Sequence, residues 1–385
     1  MNNARLAKWF NVLMLIVQAA ISIAGFAVAG ALLGITLDGW PQPYSTIVLA
    51  VLLGFLAVVV HEGGHWLGAR LGGMTVLFVR AFALELQLLN QGVRYRKTRR
   101  RKGQRFDGYV IAADNANRPW RRGRLWFIAM GPLLNVLTAA LCVLLALLTL
   151  NTSTSVAGCM LAFAAINLGL GLANLVPTHR QIHSDGAQLL AWWRKPNEQR
   201  PDFAYTRLLV LSVAGVAATD LPAADLDLLD QQPMPAPLVS LSYRLDFLQA
   251  AGDWPRAVAL GEQLEHLINA NPGVREVAAA VIAILRAELA FCRAMLQRNA
   301  AGLNVLPRNR DIDWYAPTIA PCSRALEAAL AGDRASMERE LQLAEQLAGN
   351  SRIKSGVAMQ HALAGHVRAV LQPLMRASDE ALTEA

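Results

Sequence analysis

Two histidines four residues apart, with a glutamate after the first, are the residues of this chain best suited to chemistry: His61-Glu62-Gly63-Gly64-His65. Positions i and i+4 share one face of a helix. His61 and His65 can therefore hold one metal ion while Glu62 stands beside it as a general base, the zinc-hydrolase pattern. A catalytic zinc site takes three protein ligands and keeps one position open, so a third ligand must come from elsewhere. Asp185, downstream of the apolar run that ends at Pro177, is the leading candidate, because an ionisable residue near membrane depth is a functional hypothesis by default. His183 and His179 are its rivals, since imidazole suits zinc equally well, and His183 is also a candidate to hydrogen-bond and orient a ligand. Gly63 and Gly64 each cost roughly 1 kcal/mol relative to Ala in an exposed helix, which asks for close helix approach or substrate access as compensation.

The elements that must position these residues are apolar. Of 385 residues, 54% are hydrophobic, more than an ordinary soluble domain carries and long enough for two domains. Four runs, at about 9–37, 45–65, 125–150 and 156–177, reach the roughly 20 residues needed to cross a bilayer. The first continues well past the length of a signal peptide's apolar region. Cys142, Cys159, Cys292 and Cys322 are widely spaced and read as core or span residues. The net charge of +8 is concentrated: from Arg70 to Arg124 there are fourteen Arg and Lys against three acids, including Arg99-Arg100-Arg101-Lys102. Lying between two spans, this segment marks the cytoplasmic side and contacts anionic lipid, and nucleic-acid binding is not indicated. Both chain ends then lie inside. Spans two and four run in the same direction, so His61 and Asp185 come to one bilayer depth.

Within the basic segment, Leu84, Leu86 and Leu88 alternate with Glu85 and Gln87, Asn90-Gln91-Gly92 supplies turn chemistry, and Val93 and Tyr95 alternate with Arg94 and Arg96. This predicts a short β-hairpin between the second and third spans. It either lies on the membrane surface or offers an edge strand to an extended substrate. After the membrane domain, 1–196, residues 197–237 read as a linker with a first helix, Arg207 to Ala218, the stretch Leu221 to Pro237 being rich in Asp and Pro. Residues 238–385 read as an all-α cytoplasmic domain. Ala251-Gly252-Asp253 ends one helix on Gly and caps the next with Asp, and Ala331-Gly332-Asp333 repeats the device. Stacked helical hairpins of tetratricopeptide type or an ordinary bundle both fit.

Three segments in this order resemble the site-2 protease-like intramembrane metallopeptidases, peptidase family M50. His61-Glu62-Gly63-Gly64-His65 matches the family's His-Glu-x-Gly-His; Gly131-Pro132-Leu133-Leu134-Asn135 is similar to its Gly-Pro-x-x-Asn segment; Asn174-Leu175-Val176-Pro177 with Asp185-Gly186 is similar to its Asn-x-x-Pro and Asp-Gly pieces. The resemblance covers about residues 50–190. It implies zinc held by His61, His65 and Asp185, Glu62 as general base, and cleavage of a membrane-embedded or juxtamembrane segment of a protein substrate. Seven residues separate Pro177 from Asp185, a longer connection than the commoner form has, and Ala187 stands where many members have Gly.

The expectation is thus an α-helical integral membrane protein, multi-pass, with both termini cytoplasmic, in a bacterial inner membrane. It is a zinc-dependent endopeptidase whose partners are the bilayer and a membrane protein substrate. Asn135 and Asn174 are candidates to hold the unwound substrate; Asn135 can equally be a helix-packing residue. The helical domain would recruit substrate, regulate access or bind a protein partner. Two other readings carry distinct expectations: an inactive membrane adaptor working through the helical domain, and a membrane-anchored peptidase acting on soluble peptides.

Overall fold

A computed structural model describes residues 3–37, 44–98, 108–179, 183–303 and 309–383. The loop around Asp38 and the basic run Arg99 to Lys102 lie outside the described residues. The chain divides into two compact units, Met1–Leu88 with Gly92–Glu198, and Gln199–Ala385 with Leu89–Gln91.

The first unit is built on four long helices: α1 (Asn3–Thr36), α2 (Tyr44–Leu71), α3 (Trp120–Thr149) and α4 (Thr154–Leu175). All four are long and apolar enough to cross a membrane. Their outward faces carry exposed Leu, Ile, Val and Phe, such as Ile23, Leu52 and Leu148, a pattern that water would penalise and lipid would not. α2 continues past the His-Glu-Gly-Gly-His stretch, so the motif lies within the helix rather than at its end. Its lower half meets α3 through glycines: a β-carbon on Gly64 would strike the Met130 carbonyl, one on Gly68 the Trp126 carbonyl, and one on Gly72 the Gly123 backbone. Gly63 meets nothing. Of the two glycines inside the motif, one is spent on close helix approach and the other faces open space.

The predicted hairpin is present as β2 (Leu84–Leu88) and β3 (Val93–Lys97), but it is half of a larger sheet. With β1 (Thr75–Ala81) and β4 (Gly108–Ala113) it forms an antiparallel sheet in the order β3-β2-β1-β4. The edges are β3 and β4; β2 is interior. A row of polar side chains crosses all four strands in register, Arg96 opposite Glu85, Glu85 opposite Arg80, and Arg80 opposite Tyr109. Glu85 accepts from Arg96 Nε at 2.7 Å and from Tyr109 Oη at 2.8 Å, which is how a carboxylate tolerates near-complete burial. A short helix, α5 (Asp185–Trp193), follows α4.

The second unit is all helical: α6 (Ala204–Ala214), α7 (Ala223–Asp230), α8 (Ala236–Ala251), α9 (Trp254–Ala270), α10 (Val274–Val277), α11 (Ala279–Gln297), α12 (Arg310–Tyr315), α13 (Ile319–Leu330), α14 (Arg334–Asn350) and α15 (Ser355–Thr383). α7 lies in the Asp- and Pro-rich stretch read as linker: Pro222 precedes it, and Leu226 and Leu229 bury one side against α6 and α8. The two Gly-Asp devices work as the sequence indicates. Gly252 and Gly332 take φ of +72° and +78°, a region glycine enters without a β-carbon penalty. Asp253 and Asp333 then accept from Arg256 N and Ser336 N. Among the described residues three apolar clusters fill this unit, one around Leu208, Leu226 and Leu229, one around Leu245, Leu264 and Leu285, and one around Leu326, Leu341 and Val367.

Candidate metal centre

His61 and His65 point from one face of α2 toward the start of α5. Their Nε2 atoms are 3.1 Å apart. Asp185 Oδ2 is 3.1 Å from His61 Nε2 and 3.6 Å from His65 Nε2. Three tetrahedral ligands about 2.05 Å from a zinc ion stand roughly 3.3 Å from one another, so these donors are already at the spacing of a zinc site. His61, His65 and Asp185 are the one such three-residue group among the described residues.

The outer nitrogen of each ring is engaged. His61 Nδ1 is 2.7 Å from Asn135 Oδ1, and His65 Nδ1 is 2.8 Å from the Phe127 carbonyl. Both partners are acceptors, because the Asn135 amide nitrogen is turned away to donate to Ala57 O at 3.0 Å and Asn167 Oδ1 at 2.8 Å. Each imidazole therefore carries a proton on Nδ1 and, when neutral, presents an Nε2 lone pair inward. Two imidazole nitrogens and a carboxylate oxygen directed at one point call for a cation between them, a shared proton or a metal ion, and this donor set at this spacing is one that zinc takes. The residues fit a divalent metal on this ground.

The neighbours are shaped around these groups. Asn135 and Asn167 are both fully buried, and Asn167 donates to Phe163 O one turn back on α4, so a chain from α4 through α3 fixes the His61 ring. Asn135 thus lies beside the three-donor group as an orienting partner of His61. A β-carbon on Gly131 would come within 2.5 Å of His65 Nε2, and the adjoining Pro132 interrupts the α3 hydrogen-bond ladder there. Glu62, buried, lies against the first residue of β4: a β-carbon on Gly108 would collide with its carboxylate. The hairpin strand β2 is remote from this contact in strand order, and β4 is the edge next to Glu62.

α5 delivers Asp185 at its first position, capped by Ser184, whose Oγ accepts from Ala187 N. Its far end is pinned to α3. Arg121 Nε donates to Trp192 O at 3.2 Å, and the guanidinium groups of Arg121 and Arg124 stack over Trp193 and Trp192. Arg124 also donates to Asp114 at 2.8 Å. Burial raises the Asp114 carboxyl above its usual range, with Arg124 opposing the shift.

The other sequence candidates lie outside the donor group. Asn174 is half-buried on the last turn of α4. His183 is exposed, its ring edge-on to His179 with centroids 4.8 Å apart. Asn167 and Ser184 are the contributors that sequence reasoning passed over. An uncharged polar residue inside an apolar span was the available signal for Asn167. The chain matches no family model, no curated protein and no solved structure.

Proposed function

We propose that the chain is a zinc-dependent intramembrane endopeptidase of the site-2 protease type. One observation carries this reading: the convergence of two Nε2 atoms, each on a ring held by its Nδ1, and the Asp185 carboxylate at zinc spacing, with Glu62 next to them. When bound, zinc would polarise a scissile carbonyl and acidify a water molecule. Glu62 takes the proton of the attacking water and returns it to the leaving amine. Asn135 and the Phe127 carbonyl keep both imidazoles in the ligating tautomer. The four apolar helices set this chemistry in a bilayer, with the basic segment on the cytoplasmic side. A transmembrane substrate must unwind to expose its peptide groups, and β4, an edge of the sheet among the described strands, lies beside Glu62, where an extended stretch could add to it. The helical unit recruits substrate or regulates access.

Glu62 is what separates this reading from an inactive adaptor, since a purely structural metal site has no use for a base. Reconstituted into vesicles with a single-span substrate, the Glu62→Gln protein should retain one zinc per chain and lose on the order of 10²- to 10⁴-fold in cleavage rate. Cleavage at the parental rate would sink the proposal. Processing of soluble peptides in preference to membrane-embedded ones would move the reading to a membrane-anchored peptidase.

A further inference from the structure

The connection from α4 to α5 carries the third donor, and it closes on itself at one side chain. Leaving α4 at Val176, it returns so that Ser184 Oγ donates to Val176 O at 2.7 Å and accepts from Thr178 N at 2.9 Å. Ser184 N donates to Thr178 O at 3.1 Å. The same hydroxyl accepts from Ala187 N at 3.3 Å as the N-cap of α5. A serine hydroxyl offers one donor and two acceptor sites, and here all three are used. One oxygen therefore joins the end of α4, the neck of the connection and the first turn of α5, one residue before Asp185.

The residue on the other side of Asp185 is fixed as well. Gly186 packs directly on the Leu175 backbone, with no room for a β-carbon. Asp185 is held between these two contacts, and its carboxylate has little latitude to slide away from the imidazoles. The outer part of the connection has a separate clasp. Asn11 on α1 accepts from His179 N at 2.7 Å and donates to His179 O at 2.8 Å.

We propose that Ser184 is a positioning residue of the metal centre: its hydroxyl latches the neck of the long α4–α5 connection and thereby sets the Asp185 carboxylate at ligand distance from His61 and His65. The inference rests on the metal-centre reading above. It explains how a connection of seven residues between Pro177 and Asp185 can still present its ligand accurately. The contacts that bear on Asp185 lie at the two described ends of the connection, Val176 to Thr178 and Ser184.

The test reads zinc retention rather than cleavage. The full chain, purified in detergent and loaded with zinc, is titrated with a chelator of known zinc affinity. The parent should hold one zinc per chain, and His61→Ala should abolish it. Ser184→Ala should weaken zinc binding about 10- to 100-fold, the usual cost of losing a group that orients a ligand. Ser184→Thr, which keeps the hydroxyl, should stay close to the parent, as should Asn11→Ala, and the zinc-free proteins should melt alike. If Ser184→Ala does not fold, Ser184→Cys, nearly isosteric but a weak acceptor, carries the same comparison. Parental retention by Ser184→Ala, or equal weakening by Asn11→Ala, overturns the latch and leaves the metal centre standing. A parent without zinc that depends on His61 overturns the centre and the latch together.

Discussion

At the scale of single residues, identity and spacing carried much of the site. His61, Glu62 and His65 follow from one pentapeptide, and Asp185 from being an acid just beyond an apolar run. What could not be read is who holds whom. Asn135 and Asn167 are far apart in sequence and meet only because α3 and α4 pack closely enough for one amide to bridge to the other and to His61. The paired glycines show the same limit. Composition predicts a compensating contact for both Gly63 and Gly64, and packing supplies it for one. Gly64→Ala places a methyl group against the Met130 carbonyl and must part α2 from α3, whereas Gly63→Ala enters open space and removes a helix-disfavouring residue. Gly64→Ala should therefore lose zinc and melt several degrees lower, at a cost of about 1–3 kcal/mol. Gly63→Ala should melt at or above the parent. Zinc stoichiometry and thermal melting in detergent distinguish them, and equal melting points would contradict the packing shown.

At the scale of elements, periodicity found the four apolar helices and the β2–β3 hairpin. It missed β1 and β4, because Val76 to Val79 is a continuous apolar run that follows an apolar helix without an alternating pattern, and β4 is defined by pairing with β1. α7 was missed because its Asp and flanking Pro residues resemble linker composition, although Leu226 and Leu229 give it a face to bury. The packing of α8 on α11 shows a further feature that local pattern does not reveal: Asp246 and Glu288 face the same half-buried region. Burial raises the carboxyl of Asp246; burial, and then the charge of Asp246, raise that of Glu288. No hydrogen-bond partner among the described residues reaches Glu288 Oε2. An acid whose folded pKa lies above its unfolded value supports the folded state while protonated, and loses that support as pH rises from the unfolded pKa, about 4, through the folded one. The pair thus favours folding fully at and below about pH 4 and progressively less as the pH rises through about 7, to which Asp246 is pushed up. Glu288→Gln should remove much of this dependence. Amide exchange in α8 and α11 of the full chain, corrected for intrinsic rates, should match the parent near pH 4. By pH 8 the variant should be better protected, by about 1 kcal/mol. Equal protection at both pH values would show that the carboxyls carry no strain.

At the scale of the whole molecule, two kinds of apolar surface divide the chain. Exposed aliphatic side chains cover the long helices of the first unit, while leucines of the second such as Leu208, Leu245 and Leu285 are interior. That contrast is what composition alone had separated near residue 196, and the compact units part after Glu198. The division matters for the proposed function, because the first surface is of the kind a bilayer would cover, while the second would gain nothing from one. On the proposed topology, four crossings with the basic segment inside would put the α3–α4 turn outside and the residues after α5 inside. Cysteine chemistry can read this directly, since Cys142 and Cys159 belong to apolar helices and Cys292 and Cys322 are buried, leaving a low background for labelling. In intact cells, Thr152→Cys, exposed in the α3–α4 turn, should react with a membrane-impermeant maleimide. Lys195→Cys, exposed after α5, should react only once the membrane is opened. The reverse pattern would place the candidate metal centre toward the outer face. The α5 tryptophans beside the Arg121 and Arg124 guanidinium groups, and the site they help to fix, would then have to meet substrate from outside, which would favour peptides delivered in solution over segments drawn from the bilayer on its inner side.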